Sequence, residues 1–262
     1  MRRTFLTFLV ACPVFGSAAA DAPDGGSRET PNGSSTSPYA ALDGLWDARG
    51  DPAKAEEGIN QCSAALASHP DDIELVYRVA RIKLWVADGE SNADRKQRLG
   101  REVWELGDRL VKARPDWVAG HYYAAAGIGV YSQAVGILRA LGEGLEGKFN
   151  QRLDKAIELD PTFAHMQPLL AKGRYYFELP WPKRNLGKSA AFYRRALTQQ
   201  PTNLRGMAWL AETLWRDGDV AGARAQLARV QEGRFPEDPA EEGRAKSIAS
   251  RIAAQMDKEG SR

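Results

Sequence analysis

A short motif occurs four times in this chain and limits the folds that are open to it: an apolar helix end is followed by a proline and a polar residue. The four prolines are Pro70, Pro115, Pro161 and Pro201, and 45, 46 and 40 residues separate successive ones. Proline interrupts a helix because it has no amide hydrogen to donate and its ring clashes with the preceding turn. The motif therefore predicts a chain of helices that is divided into units of similar length.

The stretch after the last of these prolines indicates what one unit contains. Apolar residues recur at steps of three and four over residues 204–215 and again over residues 220–230, which is the pattern of two amphipathic helices. Asn203 and Asp219 stand where their side chains can cap these helices, and Gly218 can adopt the left-handed conformation that ends the first. The stretch predicts a helical hairpin.

This hairpin, with alanines in its first helix and a Gly-Asp turn before its second, resembles the tetratricopeptide repeat family. A hairpin of this size cannot bury its apolar face alone, so the resemblance implies a stack of neighbours. We expect an all-α fold, a solenoid of tetratricopeptide-like hairpins over residues 39–257, with a C-terminal capping helix that begins after Asp238. Residues 258–262 are expected to be a frayed tail.

The N-terminus has the pattern of an export signal. Arginines follow Met1, residues 4–15 are mainly apolar, and Ala18–Ala20 form a small-residue cleavage site. The sequence therefore predicts a signal peptide over residues 1–20 and a protein that is periplasmic or otherwise exported. In an alternative interpretation, residues 9–12 resemble a bacterial lipobox, and a lipidated Cys12 would anchor the protein. Residues 21–38, rich in Gly, Ser and Pro, are expected to form a flexible linker.

The charge balance argues against two classes of partner. The whole chain has 36 basic and 34 acidic residues, and removal of the two leader arginines would leave equal numbers. A chain without net charge has no general electrostatic attraction to nucleic acid or to an anionic membrane. We therefore expect no nucleic-acid partner, and membrane association only through lipidation of Cys12.

The residues that could carry chemistry are few and scattered. Gly142–Gly147 matches the glycine pattern of dinucleotide-binding proteins, but the pattern indicates helices on both sides where that site needs a preceding strand. His69, His121 and His165 fall in three different units, without the spacing of a metal site. Cys62 lies on an apolar helix side, where cysteine behaves as a small hydrophobe. We expect no catalytic residues, no metal and no cofactor, and hence a protein that is not an enzyme.

Aromatic residues are the strongest candidates for a binding surface. Adjacent aromatic residues on a helix point about 100° apart, so one can pack inward while the other lines the concave face of a solenoid. We expect this face to bind a protein partner or a small apolar ligand through Tyr122, Tyr123, Tyr131, Tyr175, Tyr176 and Trp181. The glycine-rich segment Ser132–Gly147 is longer than a turn requires, so it either packs over the array or lines a pocket.

A narrower resemblance rests on three short motifs together with the leader. Tyr122–Ala126, the inserted segment before Lys148, and Gly173–Tyr176 running into Leu179–Pro182 resemble the T component of tripartite ATP-independent periplasmic (TRAP) transporters. The Gly-Arg-aromatic stretch at Gly173–Tyr176 and the Leu-Pro-Trp stretch at Leu179–Trp181 are also similar to the repeat domain of the regulator of microtubule dynamics family. The transporter resemblance implies a helical periplasmic lipoprotein that associates with a substrate-binding protein, and it is compatible with an oligomer. The alternative is a structural envelope scaffold or an outer-membrane assembly lipoprotein.

Overall fold

The computed structural model describes residues 37–260, and all regular secondary structure in that range is helical. The predicted signal peptide, Cys12 and nearly all of the predicted linker lie outside the described residues. The helices are α1 Ala40–Asp47, α2 Pro52–Ser68, α3 Ile73–Gly89, α4 Ala93–Ala113, α5 Val118–Val135, α6 Ile137–Gly142, α7 Leu145–Leu159, α8 Phe163–Glu178, α9 Leu186–Gln199, α10 Leu204–Arg216, α11 Val220–Glu232 and α12 Pro239–Gly260. The all-α prediction is confirmed.

The helices form a tetratricopeptide-like solenoid of antiparallel hairpins. The pairs are α1 with α2, α3 with α4, α5 with α7, α8 with α9, and α10 with α11, and each first helix also contacts the first helix of the next pair. The first helices therefore form an inner layer and the second helices an outer layer. Helix α12 packs against α10 and α11 as a single cap, as predicted.

Polar side chains begin most of these helices. The carboxylate of Asp72 accepts hydrogen bonds from the amides of the first turn of α3, and the side chains of Asn203 and Asp219 do the same for α10 and α11. These bonds satisfy amides that have no partner inside the helix. Gly218 has a φ of +95° and ends α10. The capping predictions for the hairpin of α10 and α11 are confirmed.

The start of α8 is irregular. Ala164, His165 and Met166 all have positive φ, between 47° and 68°, so the regular helix begins at Gln167. Pro168 then lies in the first turn, where its missing amide hydrogen costs nothing. The sequence predicts a start near Gln167 for this reason, and the backbone agrees.

Helices α4 and α5 pack unusually close together. A Cβ atom added to Gly107 of α4 would lie 2.2 Å from the backbone nitrogen of Ala124, and one added to Gly127 of α5 would lie 2.3 Å from that of Trp104. Only glycine permits this separation, since any larger side chain would overlap the opposing backbone. The tight contact joins the second unit to the third.

The first and last parts of the array also meet. Arg49, just after α1, forms an ion pair with Asp238 at the start of α12, and a Cβ on Gly50 would lie 3.4 Å from that of Ala240. The inner layer therefore curves until the capping helix reaches the first two hairpins. This contact makes the inner face of the unit formed by Pro38–Arg262 concave.

The C-terminal helix extends beyond its predicted end. Residues 258–262 were expected to fray, whereas α12 continues to Gly260. Two exposed ion pairs join these last turns to the preceding hairpin: Arg224 contacts Asp257 at 2.8 Å, and Arg216 contacts Glu259 at 2.9 Å. None of the helices among residues 37–260 has both the length and the apolar character needed to span a bilayer.

Candidate functional site: the inner groove

A groove with a cavity volume of about 390 Å³ runs along the inner layer. Space is available because α5 and α8 turn small residues toward it, Ala126, Gly129 and Ala171. The short helix α6 adds Ile137 and Leu141 to the wall. The inserted segment therefore lines a pocket, which is one of the two alternatives that its sequence suggests. The volume falls within the range of small-molecule sites in proteins.

Aromatic rings form one wall of the groove. Tyr122 and Tyr123 of α5 contact each other edge to face at 5.2 Å between ring centroids, and Tyr77 of α3 lies 5.8 Å from Tyr123. Phe163 lies 5.6 Å from Tyr122. Burial raises the pKa of both Tyr122 and Tyr123, so their phenols remain neutral. This wall is apolar, with hydroxyl groups that can donate hydrogen bonds.

Tyr175 of α8 forms part of a second wall. Its ring stacks on Phe149 of α7 at 5.4 Å, and its hydroxyl donates a hydrogen bond of 2.8 Å to Glu146. Burial raises the pKa of Tyr175 to about 12, and the nearby Glu146 carboxylate acts in the same direction. The hydrogen bond from Lys183 lowers the pKa of Glu146. These contacts fix the orientation of the Tyr175 ring.

Ion pairs cross the groove between distant parts of the chain. Arg205 of α10 donates to Asp88 of α3 and to Glu241 of α12, with a hydrogen bond of 2.9 Å to each. Arg244 of α12 donates to Asp88 at 3.2 Å and to the carbonyl oxygen of Trp85 at 2.8 Å. Its guanidinium carbon lies 3.2 Å from the Trp85 ring centroid. We call Asp88, Arg205, Glu241 and Arg244 the ionic bridge.

The charges in the groove balance each other. Burial by itself would raise the pKa of Asp88, but the guanidinium groups of Arg205 and Arg244 outweigh burial and lower that pKa to about 2. The groove contains five arginines and five carboxylates: Arg49, Arg81, Arg174, Arg205, Arg244, Asp88, Glu146, Glu178, Asp238 and Glu241. Each of these arginines forms an ion pair. The groove therefore offers apolar surface without a net charge.

The structure brings together three of the six aromatic residues predicted for the site: Tyr122, Tyr123 and Tyr175 line the groove. The other three lie outside it, so the predicted placement is wrong for them. Tyr131 is on the side of α5 that faces α4, and its hydroxyl donates to Glu143. Tyr176 faces α9, where it stacks on Phe192 at 5.9 Å. Trp181 lies beyond the end of α8 and is 89% exposed.

The other residues considered for chemistry are the three histidines, the glycine-rich motif and Cys62, and the contacts of each are with the protein's own helices and turns. His69 ends α2, His121 is buried with its Nε2 2.7 Å from the carbonyl oxygen of Pro115, and His165 lines the groove edge-on to Phe235. Among residues 37–260, no group of three or more histidines, cysteines or carboxylates could hold a metal ion. Gly142–Gly147 spans the last residue of α6, a two-residue turn and the first turn of α7. Burial raises the pKa of the Cys62 thiol.

The sequence patterns do not predict the ionic bridge. A partial signal exists in α10, where Arg205, Trp209 and Glu212 recur at steps of four and three and so share one helix face. A charged residue within an apolar helix pattern can indicate a buried ion pair. Its partners Asp88 and Glu241 are 117 and 36 residues away, so only the tertiary fold identifies them.

Comparison with known proteins supports the fold. No protein-family model matches the sequence, and no curated protein matches it. Among solved structures, the crystal structure of a thermophilic TPR protein from Thermus thermophilus is similar, with a TM-score of 0.60 and 24% sequence identity. The match covers 80% of this chain and 96% of that protein. At this identity the similarity establishes the tetratricopeptide-like fold alone.

Proposed function

Starting from a chain with the fold of tetratricopeptide repeat proteins, we propose that this protein is a non-catalytic binding scaffold. Its inner groove binds a small apolar ligand or the apolar side chains of a partner protein. The observation that carries this proposal is a preformed groove of about 390 Å³ with aromatic walls and with arginines that all form ion pairs. A site whose ions are already paired gains little from a charged ligand, whereas apolar surface gains free energy when water leaves it.

The location and partner in this proposal rest on the sequence. The leader supports export, with either cleavage after Ala20 or lipidation of Cys12, and the motifs around Tyr122 and Tyr175 support a role as accessory component of a TRAP-type transporter. The protein partner would then be a periplasmic substrate-binding protein. Cell fractionation of wild-type protein and a Cys12→Ala variant tests anchoring. Release of the variant from the membrane fraction is expected only if Cys12 is lipidated.

The groove is tested by filling it. Ala171→Trp places an indole where the wall has a methyl group, and the matched control Ala225→Trp adds the same side chain to the exposed outer surface of α11. The probe is N-phenyl-1-naphthylamine, a neutral apolar dye that fluoresces when it leaves water. We expect saturable binding by the wild type and the control, and affinity reduced by about tenfold or more in Ala171→Trp, the equivalent of about 1.4 kcal/mol.

The same variants separate the two kinds of ligand. Proteins retained from a periplasmic extract by wild type and Ala225→Trp, but lost with Ala171→Trp, would identify the groove as a protein-binding site. Dye binding without any groove-dependent protein would indicate a small ligand. Equal dye affinity in all three proteins, at equal helicity, would contradict the proposal.

A further inference from the structure

Exposed apolar residues mark one edge of the solenoid. Within residues 37–260, the large hydrophobic residues that are exposed are Leu138, Trp181 and Val220. Leu138 lies on α6 between the helices of the third hairpin, Trp181 lies between α8 and α9, and Val220 begins α11 after the turn from α10. In a stack of antiparallel hairpins, the turns inside hairpins share one edge and the turns between hairpins share the other. All three residues therefore lie on the same edge.

The loop that carries Trp181 is held in place. The amides of Lys183 and Asn185 donate to the carbonyl oxygens of Pro180 and Tyr176 at 2.9 and 3.1 Å. The Arg184 side chain donates to the carbonyl oxygen of Phe177 at 2.7 Å. Trp181 is nevertheless 89% exposed, whereas Leu179, two residues earlier, is buried. The loop thus presents its indole ring to the solvent while its backbone is fixed.

The same loop contacts the third hairpin at the start of α7. Lys183 forms an ion pair with Glu146 of α7, and just before it Arg139 of α6 pairs with Glu143 at 2.9 Å. Trp181 and Leu138 therefore belong to neighbouring hairpins of the edge. Isolated exposed apolar side chains are common on protein surfaces. A fixed, fully presented tryptophan, with a second exposed apolar residue on the neighbouring hairpin, indicates a binding surface more specifically.

The charges around these residues are mainly basic. The loop contributes Lys183 and Arg184, the first turn of α9 contributes Lys188, and α6 contributes Arg139; residues 179–188 contain no acidic residue. Glu143 and Glu146 are the acidic residues of the adjoining segment, and both are used in ion pairs. Among the described residues, Arg184 and Lys188 have no carboxylate partner, so this part of the edge has an excess of positive charge.

We propose that this edge patch, formed by Leu138, Trp181, Arg184 and Lys188, docks on an anionic lipid surface. An indole ring is favoured at the boundary between lipid headgroups and acyl chains, and each nearby lysine or arginine adds attraction to anionic headgroups. Val220 directly follows Asp217 and Asp219, whose charges oppose such contact, and it is outside the patch. This docking is separate from the groove and from any lipid attached to Cys12.

Two fluorescent probes test which edge meets the membrane. The full chain with Cys12→Ala carries either Leu138→Cys or Lys112→Cys, and the introduced cysteine is attached to an environment-sensitive label. Lys112 lies in the last turn of α4 on the opposite edge and serves as the control position. The remaining cysteine, Cys62, is buried. With vesicles of phosphatidylcholine and phosphatidylglycerol, we expect a blue shift and quenching by nitroxide lipids at position 138 only. Equal responses at both positions, or none at 138, would overturn the proposal even if the N-terminal leader binds the vesicles.

Substitutions test the contributions of the ring and the charge. Trp181→Ala is expected to weaken the position-138 response by about tenfold. Lys188→Glu should weaken it on anionic vesicles and not on phosphatidylcholine alone, while Lys112→Glu, paired with the probe at 138, serves as the charge control. A glutamate in the first turn of α9 favours the helix, so misfolding is not expected from Lys188→Glu. Retention of a protein by the patch without any vesicle response would assign it to a protein partner and refute membrane docking.

Discussion

Asp88 connects three helices through one carboxylate. It accepts hydrogen bonds from Arg205 and Arg244, and its pKa is lowered to about 2 in spite of burial. A group whose pKa is lower in the folded state stabilises the protein above its unfolded-state pKa, and this contribution is lost as the pH falls through the folded-state pKa. The ionic bridge should therefore weaken between about pH 4 and pH 2.

The change Asp88→Asn tests this pH dependence. At pH 7 it should lower the free energy of unfolding by about 1 to 2 kcal/mol, a value reduced because a third of the Asp88 side chain is exposed. The difference from wild type should shrink in urea titrations at pH 4, 3 and 2. Asp71→Asn, at an exposed position, is the control and should give the same small difference at each pH. A pH-independent gap for Asp88→Asn would contradict the assignment.

The aromatic residues show what sequence can predict at this scale. Helical periodicity predicts that one member of each adjacent aromatic pair lines the groove; Tyr175 does so without Tyr176, whereas Tyr122 and Tyr123 both do. It cannot place Tyr131, because the side of α5 that reaches α4 depends on how closely two helices approach. It cannot place Trp181 either, because that residue lies beyond the end of its helix, where periodicity no longer applies.

The helices themselves are the most predictable level of this structure. Capping residues such as Asn203, Asp219 and Asp72 act within three residues of themselves, so their effect is readable from local sequence. The contact between α4 and α5 is different. The glycines of each helix recur at a step of seven, which places each pair on one face: Gly100 and Gly107 in α4, Gly120 and Gly127 in α5. The sequence therefore shows which face of each helix can pack closely, but it does not show which helix packs against that face.

The change Gly107→Ala tests the close contact. Its Cβ would lie 2.2 Å from the Ala124 nitrogen, so the helices must separate, and we expect a loss of about 3 kcal/mol or more in urea unfolding. Gly243→Ala in α12 is the control. No atom lies within 4 Å of its added methyl group, and better helix propensity should increase stability by up to about 1 kcal/mol. Similar stability of the two variants would contradict the packing.

At the scale of the whole unit, the contact between α12 and the first hairpins was not predictable. The sequence predicts an open stack with a capping helix on its last hairpin, because each hairpin shows only its own apolar faces. Closure depends on curvature, which accumulates from small rotations at every interface between units. Closure is made by contacts such as that of Arg49 with Asp238, which are 189 residues apart. Because of this closure, the charged residues Glu241 and Arg244 of α12 line the inner groove.

A double-mutant cycle measures the closure. The Arg49→Met and Asp238→Asn changes remove the ion pair, while the asparagine introduced by the second change can still cap α12. We expect a coupling energy of about 1 to 3 kcal/mol in urea unfolding. The exposed pair Arg224–Asp257, treated in the same way, is the control and should couple by less than about 1 kcal/mol. A coupling for Arg49 and Asp238 as small as that of the control would show that the two ends do not meet in solution.

The meeting of α12 with α1 and α3 also limits how such a gene can change. Repeat proteins commonly evolve by duplication of a module, since an open array accepts another copy at little cost. Here an extra hairpin would move Asp238 away from Arg49 and Glu241 away from the helix that carries Asp88. The number of modules is therefore set by geometry, and variation is expected in side chains and turns instead of in length.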